Sequence, residues 1–195
     1  MKRPRRAHPV ALSTGPWLLP TVLASTIIVA DQVTKSRILA ELGPEPLQRE
    51  IKLIGDWFSL VYTRNTGVAF SLFQGYPQLF TVTSIVITAA TIYAYAVHLP
   101  KRNSWVQVSM GLIVGGAIGN IIDRLLHGYV IDFVRVGWWP VFNIADSAIT
   151  IGVVMLAIFL LFAESDAPQA AAPRDDRLLG ELLSQEPPVH ERPEI

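Results

Sequence analysis

The chain has 195 residues; 51% are hydrophobic, only 16% are charged, and the formal net charge is zero. Soluble domains carry about 25% charged residues, so this composition indicates a membrane protein, and the balanced charge offers no basic surface for nucleic acid. Cysteine is absent, which excludes disulfides, thiol nucleophiles and cysteine metal sites. The four histidines are too scattered to form a ligand pair, so we expect neither a metal nor a cofactor.

Four long apolar segments predict an all-α membrane protein with four transmembrane helices. They cover about residues 12–39, 78–99, 105–126 and 141–163, and each supplies the roughly 20 residues that a helix needs to cross a bilayer. The first segment follows the basic sequence MKRPRR and therefore also resembles a cleavable secretory signal. Further spans follow it without a convincing small-residue cleavage site, so an uncleaved helix is the better interpretation.

An even number of spans places both termini on one side of the membrane. Positive charge favours the cytoplasm for that side, although the outer loops also contain basic residues. The cations that carry this bias are Lys2, Arg3, Arg5, Arg6, Lys101 and Arg102. The predicted organisation is a basic cytoplasmic N-terminus at 1–11, a membrane domain at 12–163 and a cytoplasmic tail at 164–195, whose Pro, Ala and charge content indicates disorder.

The larger outer loop, residues 41–77, is predicted to contain a small β-hairpin. Its sequence REIKLIGDWFSLVYT has two short runs of β-branched and aromatic residues, separated by a Gly55-Asp56 turn. The following sequence GVAFSLF is compatible with a short helix near the membrane surface.

The third apolar segment carries Gly111, Gly115 and Gly119 at intervals of four residues. Such a stripe of small residues lets another helix approach closely in a membrane. The sequence GGAIGN within this segment also resembles a nucleotide-binding loop, but it lies inside an apolar helix with no strand before it. The pattern therefore predicts helix packing.

Polar residues follow the glycines at the outer end of the same helix. Asn120, Asp123, Arg124 and His127 share one helix face. Asp123 and Arg124 are compatible with an ion pair that anchors the helix end at the lipid headgroups, and Arg124 also with a contact to substrate. Asn120 lies deeper, where an amide needs a partner in the protein or in a ligand.

The first helix contributes a second polar pair, Asp31 and Lys35, which are one helical turn apart. An ion pair inside a membrane is either functional or structural. We interpret this pair as a structural strut, with Asp31 at the border of the site.

Two further aspartates lie at the ends of the most hydrophobic segments. Asp132 follows the extended run GYVI, and Asp146 shares a helix face with Asn143 and Ser147. Each has a simple explanation alone: a loop carboxylate in water for Asp132, and for Asp146 a first-turn residue favoured by the helix dipole. Together they place two carboxylates at the same membrane face, where the pair would retain one proton near neutral pH and perform acid–base catalysis.

The connector between these aspartates contains Trp138 and Trp139. Tryptophan is enriched at membrane–water interfaces. We therefore predict that this connector lies at the level of the lipid headgroups and fixes the depth of the carboxylate pair.

Five sequence blocks, taken together, resemble the lipoprotein signal peptidase family, also called signal peptidase II. They are DQVTK at 31–35, RNTGVAFS at 64–71, GGAIGNIIDR at 115–124, GYVIDF at 128–133 and FNIADSAI at 142–149. Any one block is weak evidence, but all five occur in the order of the family and extend from the first helix to the fourth. The basic N-terminal extension and the charged tail lie outside this resemblance.

The resemblance implies a four-helix membrane fold with a small extracytoplasmic β-cradle between helices one and two. It also implies a monomeric aspartic endopeptidase of the bacterial inner membrane with its active site near the extracytoplasmic face. Its substrates would be prolipoproteins with a diacylglyceryl-modified cysteine, cleaved on the N-terminal side of that cysteine.

By matching position, the resemblance places the catalytic dyad at Asp132 and Asp146. Other matching positions lie around the substrate or its mimic, the peptide antibiotic globomycin: Asn65, Asn120, Arg124 and Asn143. Asp31, Lys35 and Asp123 match residues that support the site.

Two other functions remain compatible with the residues alone. Paired carboxylates in a membrane also serve as proton relays, so a small proton-coupled transporter is one alternative. Transporters commonly show internal repeats, and none is visible here. The other alternative is a scaffold whose charged residues only anchor helix ends.

Overall fold

The computed structural model describes residues 15–67 and 77–163. Within these residues the chain forms four helices, in agreement with the predicted number: α1 Leu18–Leu42, α2 Pro77–Val97, α3 Ser104–His127 and α4 Ile144–Ala163. It also forms three strands: β1 Glu50–Ile54, β2 Phe58–Asn65 and β3 Val130–Val136. The predictions for the N-terminus, for most of GVAFSLF and for the tail fall outside the described residues.

Three of the helices are long and apolar enough to cross a membrane. They are α2, α3 and α4, through Gln78–Val97, Ser104–His127 and Ile144–Phe162. Helix α1 has the length, but Asp31 and Lys35 interrupt its apolar sequence. Both side chains are buried against the other elements, so α1 directs these two charges into the protein.

Helix α3 is the central helix, and its glycines admit the neighbouring helices. A Cβ atom at Gly115 would lie 2.8 Å from the Cα atom of Ala24 in α1. On the adjacent side of α3, a Cβ atom at Gly116 would collide with the carbonyl oxygen of Ala145 in α4. The predicted close packing on the glycine stripe is therefore confirmed for α1, and Gly116 extends it to α4.

The predicted hairpin is present as the antiparallel strands β1 and β2, which turn at Gly55 with a φ angle of 51°. It belongs to a three-stranded sheet, because β3 pairs antiparallel with the other side of β2. The third strand, β3, joins the sheet by pairing with a segment distant in the sequence, and the local turn pattern that predicts a hairpin does not indicate such a pairing. A cluster of buried side chains packs the sheet against the end of α1: Ile38, Leu42, Tyr62, Ile131 and Phe133.

After β3 the chain turns back, and the segment that leads to α4 runs beside β3. The backbone N–H of Phe133 donates to the carbonyl oxygen of Phe142 over 3.0 Å, and the N–H of Phe142 donates to that of Val134 over 3.1 Å. This return brings Asn143 and the start of α4 back beside Asp132.

Candidate active site

Asp132 lies in β3, and its side chain is only 3% exposed. The ladder pairs it with Thr63 of β2, whose Oγ1 donates to the Asp132 carbonyl oxygen over 3.1 Å. Two side-chain amides donate to the carboxylate: Nδ2 of Asn65 to Oδ2 over 2.9 Å, and Nδ2 of Asn143 to Oδ1 over 2.7 Å. The carboxylate is therefore oriented from both of its oxygens.

Asp146 lies in the first turn of α4, where the helix dipole favours negative charge. Its backbone N–H donates to Oδ1 of Asn143 over 2.8 Å, and the N–H of Asn143 donates back to Oδ2 of Asp146 over 3.2 Å. This exchange has the form of a capping box, which satisfies N–H groups at a helix start. Nδ2 of Asn120 donates to the remaining oxygen, Oδ1, over 2.8 Å.

Asn143 joins the two aspartates. Its side chain is fully buried, and it contacts the carboxylate of Asp132 and the backbone N–H of Asp146 at once. The Nδ2 group also donates to Oδ1 of Asn120 over 3.1 Å. The sequence pattern placed Asn143 beside Asp146 on α4, and the structure adds its contact with Asp132.

The environment of Asp132 favours its protonated form. Burial, and after it the negative charge of Asp146, raise the pKa of Asp132 to about 7, against the opposing effect of the hydrogen bonds from Asn65 and Asn143. The pair is therefore suited to hold one proton near neutral pH, as two carboxylates in one site require.

A buried lysine holds the surrounding elements together. Nζ of Lys35 lies 2.7 Å from Oδ2 of Asp31 and 2.9 Å from Oδ2 of Asp123, and it donates to Oδ1 of Asn120 over 3.1 Å. These three charged side chains are at most 2% exposed. Because buried charges need several partners to offset their desolvation, this network is favourable only when complete.

The two carboxylates of this network also bind backbone groups near the dyad. Oδ1 of Asp31 accepts the N–H of Ala145 at the start of α4 over 3.0 Å. Oδ2 of Asp123 accepts the N–H of Ile131, next to Asp132, over 2.9 Å. The network thus ties α1 and α3 to the two elements that carry the aspartates.

Asp123 is not an anchor at the lipid headgroups, and that interpretation is wrong. It is 1% exposed and pairs with Lys35, because the close α1–α3 packing brings the lysine to it. Nη1 of Arg124 instead lies 3.5 Å from the Asn120 carbonyl oxygen. The remaining polar residues on the two helix faces do not contact the aspartates through their side chains. His127 of α3 is exposed and stacks on Tyr129, and the Ser147 hydroxyl of α4 donates to the backbone carbonyl of Asn143.

Gln32 belongs to the site, although sequence reasoning did not single it out. Its Nε2 donates to Oδ1 of Asp123 over 2.9 Å and to the carbonyl oxygen of Gly119 over 3.2 Å. Its position in an apolar helix between Asp31 and Lys35 was the available signal.

A cavity of about 430 Å³ lies between α2, α3 and α4, and one of its lining residues is Asn120, which donates to Asp146. Asn120 and Arg124 line its polar end, and mainly apolar side chains such as Ile149 and Val153 line the rest. An apolar cavity with a few polar groups at one end fits a ligand with an apolar body and a polar reacting group.

Known proteins match most of the chain. A profile of the family described as "Signal peptidase (SPase) II" matches residues 23–162. A protein of Chlorobium phaeobacteroides (strain BS1) named "Lipoprotein signal peptidase" is 44% identical over 148 residues, covering 70% of this chain and 91% of the relative. A protein of the same name from Pseudomonas aeruginosa (strain PAO1) is 41% identical over 152 residues, covering 73% and 86%.

Solved structures agree with this match. A structure described as a bacterial membrane enzyme superposes with a TM-score of 0.68 at 32% sequence identity, covering 78% of this chain and 93% of the other. A second one with the same description gives a TM-score of 0.65 at 34% identity, covering 73% and 92%.

Proposed function

The chain belongs to the signal peptidase II family and removes signal peptides from prolipoproteins; we propose that it does so as an aspartic endopeptidase whose catalytic dyad is Asp132 and Asp146. The observation that supports this dyad is the shared Asn143, which contacts the carboxylate of Asp132 and caps the backbone of Asp146. The matched relatives are peptidases, so the comparisons do not support the transporter alternative. The burial of Asp31, Asp123 and Asp132 argues against a scaffold in which such charges only anchor helix ends.

The two carboxylates differ in exposure, and this difference supports a different role for each. Asp132 is the more buried and holds the proton, whereas Asp146 is partly exposed and lies at the positive end of α4. Asp146 takes a proton from a water molecule, and the water oxygen attacks the scissile carbonyl carbon. Asp132 donates its hydrogen to the carbonyl oxygen. The C–N bond then breaks as the proton taken by Asp146 passes to the leaving amine, while the former carbonyl oxygen returns its hydrogen to Asp132 and re-forms the C=O double bond.

The substrate is a prolipoprotein with a diacylglyceryl-modified cysteine, cleaved on the N-terminal side of that cysteine. The cavity that Asn120 lines supports this choice, since its apolar part lies among α2, α3 and α4 and accepts apolar groups without exposing them to water. Asn120 and Arg124 at its polar end, with Asn65 and Asn143 at the dyad, are placed to bind the peptide backbone. Asp31, Lys35 and Asp123 support the site.

The same proposal includes the setting of the enzyme. It is a monomer in the bacterial inner membrane with both termini in the cytoplasm and the dyad near the extracytoplasmic face. The three-stranded sheet forms the cradle over the dyad. This placement is supported by the packing of the sheet on the outer end of α1 and by the apolar helices.

A cleavage assay with purified protein tests the dyad. Wild type, Asp132→Asn and Asp146→Asn are offered a peptide with a diacylated lipobox cysteine in detergent. We expect cleavage by wild type alone, with wild type and both variants equally folded and with no effect of chelators. Cleavage that survives either substitution excludes the dyad, and failure of the wild type with this peptide excludes the substrate class.

A further inference from the structure

Arg64 is an exposed residue whose side chain nevertheless has several partners. Its Nε donates to Oη of Tyr62 over 2.9 Å, and Nη2 donates to the carbonyl oxygen of Pro44 over 2.6 Å. The guanidinium carbon lies 5.7 Å from the ring centre of Tyr62 and 5.4 Å from that of Tyr129, within the range of cation–π attraction. A cation that only needed water would not be held this way.

These partners belong to three separate parts of the chain. Pro44 follows α1, Tyr62 lies in β2, and Tyr129 precedes β3. Tyr62 is fully buried, and its Oη lies 3.1 Å from Oη of Tyr129. The Arg64 side chain therefore fastens the end of β2 to the chain segments on both of its sides.

The residues on either side of Arg64 both contact Asp132. Thr63 donates to its backbone carbonyl, and Asn65 donates to its carboxylate over 2.9 Å. Side chains alternate along a strand, so Thr63 and Asn65 face Asp132 while Arg64 faces the opposite side. Asn65 is the last residue of β2, and its ladder partner Val130 is the first residue of β3.

We propose that Arg64 is a positioning residue, which fixes the end of β2 so that the amide of Asn65 remains on the Asp132 carboxylate. The inference rests on the proposed dyad. Arg64 does not touch the reacting atoms and acts through Asn65. Without the guanidinium, the end of β2 is no longer fastened through Arg64 to Tyr62 and Pro44. The side-chain amide of Asn65, the next residue, then leaves the Asp132 carboxylate.

Arg135 provides a matched control in the same sheet. Its Nε donates to Oγ of Ser59 over 3.0 Å, and its guanidinium forms an ion pair with Glu50. It thus makes the same kind of attachment toward the other end of the sheet, away from Asn65. Loss of a merely structural attachment is expected to have similar effects at both arginines.

The test is a double-mutant cycle measured with the diacylated lipobox peptide. We expect Arg64→Ala and Asn65→Ala each to lower kcat/KM about tenfold, since each abolishes the hydrogen bond from Asn65 to the Asp132 carboxylate, the first by displacing the amide and the second by removing it. The double variant should be no slower than Asn65→Ala, because Arg64 acts through Asn65. Losses that multiply to about a hundredfold would overturn the proposal.

The pH profile supplies a readout that a structural role does not move. The hydrogen bond from Asn65 lowers the pKa of Asp132, so its loss moves the alkaline limb of kcat/KM to higher pH. We expect this shift in Arg64→Ala and Asn65→Ala and not in Arg135→Ala. The same shift in Arg135→Ala, or none in Arg64→Ala, contradicts the proposal.

Two milder variants keep the test usable if Arg64→Ala does not fold. Arg64→Lys keeps a cation near the rings but cannot donate to Tyr62 and Pro44 as the planar fork does. Tyr129→Phe removes one hydroxyl and keeps the ring. Both should show part of the pH shift at unchanged stability, and a wild-type profile in both overturns the inference. An inactive wild type would overturn the proposed function as well, whereas an active one with multiplying losses overturns only the role of Arg64.

Discussion

Asn143 donates from its side-chain amide to Oδ1 of Asp132 over 2.7 Å, the shorter of the two amide contacts to that carboxylate. The same side chain accepts the backbone N–H of Asp146 through Oδ1. One residue therefore sets both the orientation of one aspartate and the helix start that carries the other.

Replacing Asn143 by alanine is expected to separate the two aspartates. The variant loses the bond to Asp132 and the cap of Asp146, each of which is worth about 1–3 kcal/mol when a charged or capping group is involved. We expect a decrease in kcat/KM of at least about a hundredfold in the peptide assay. Ser147→Ala is the control, because the Ser147 hydroxyl donates to the backbone carbonyl of Asn143 one turn earlier, and the activity of this variant should stay near wild type. Full activity of Asn143→Ala would contradict the bridging role.

Replacing Lys35 by methionine is expected to destabilise the protein strongly. The substitution keeps the volume but leaves Asp31 and Asp123 as unpaired buried charges, which costs about 3–5 kcal/mol. Thermal unfolding in detergent should show a large decrease in Tm.

Two further variants identify the cause of that decrease. Adding Asp31→Asn and Asp123→Asn to Lys35→Met should recover much of the loss, because the unpaired charges are gone. Lys52→Met removes a solvent-exposed partner of Asp56 and should leave Tm unchanged. A triple variant as unstable as Lys35→Met would show that the charges are not the cause.

Activity is expected to fall as the pH rises through about 7. The proposed catalytic pair needs one proton, and burial together with the charge of Asp146 raises the pKa of Asp132 to about 7, so that proton is lost above this pH. The profile of kcat/KM reports the free enzyme, and its alkaline limb belongs to the pair as a unit. Measurement from about pH 5 to pH 9 checks this. A profile that stays level up to pH 9 would exclude Asp132 as the proton donor.

Trp138 is expected to lie at the membrane–water interface. Its side chain is 87% exposed, and its ring contacts Trp139 edge to face. A variant with Trp138 as its sole tryptophan, placed in vesicles with brominated lipids, should be quenched most by bromines near the headgroup. A variant that keeps only Trp105, at the start of α3, provides the comparison for the depth dependence of the quenching. Absence of quenching at Trp138 by lipids of any bromine position would contradict the prediction.

The amino-acid sequence by itself determined the features that depend on near neighbours in the chain. Long apolar runs produce helices of membrane length, Gly55 permits the positive φ angle of the hairpin turn, and Gly115 leaves room for α1. The polar residues that gather around the dyad were also identifiable, because a charged or amide side chain inside an apolar segment needs a partner.

Only the tertiary structure decided which partners these residues take. Lys35 was paired with Asp31 by its helical spacing, but its contacts with Asp123 and Asn120 depend on how closely α1 approaches α3. The pairing of β3 with β2, which brings Asn65 to Asp132, is likewise nonlocal. Hydropathy and spacing act over a few residues, whereas such contacts join distant segments and form only when the packing of the whole fold brings the segments together.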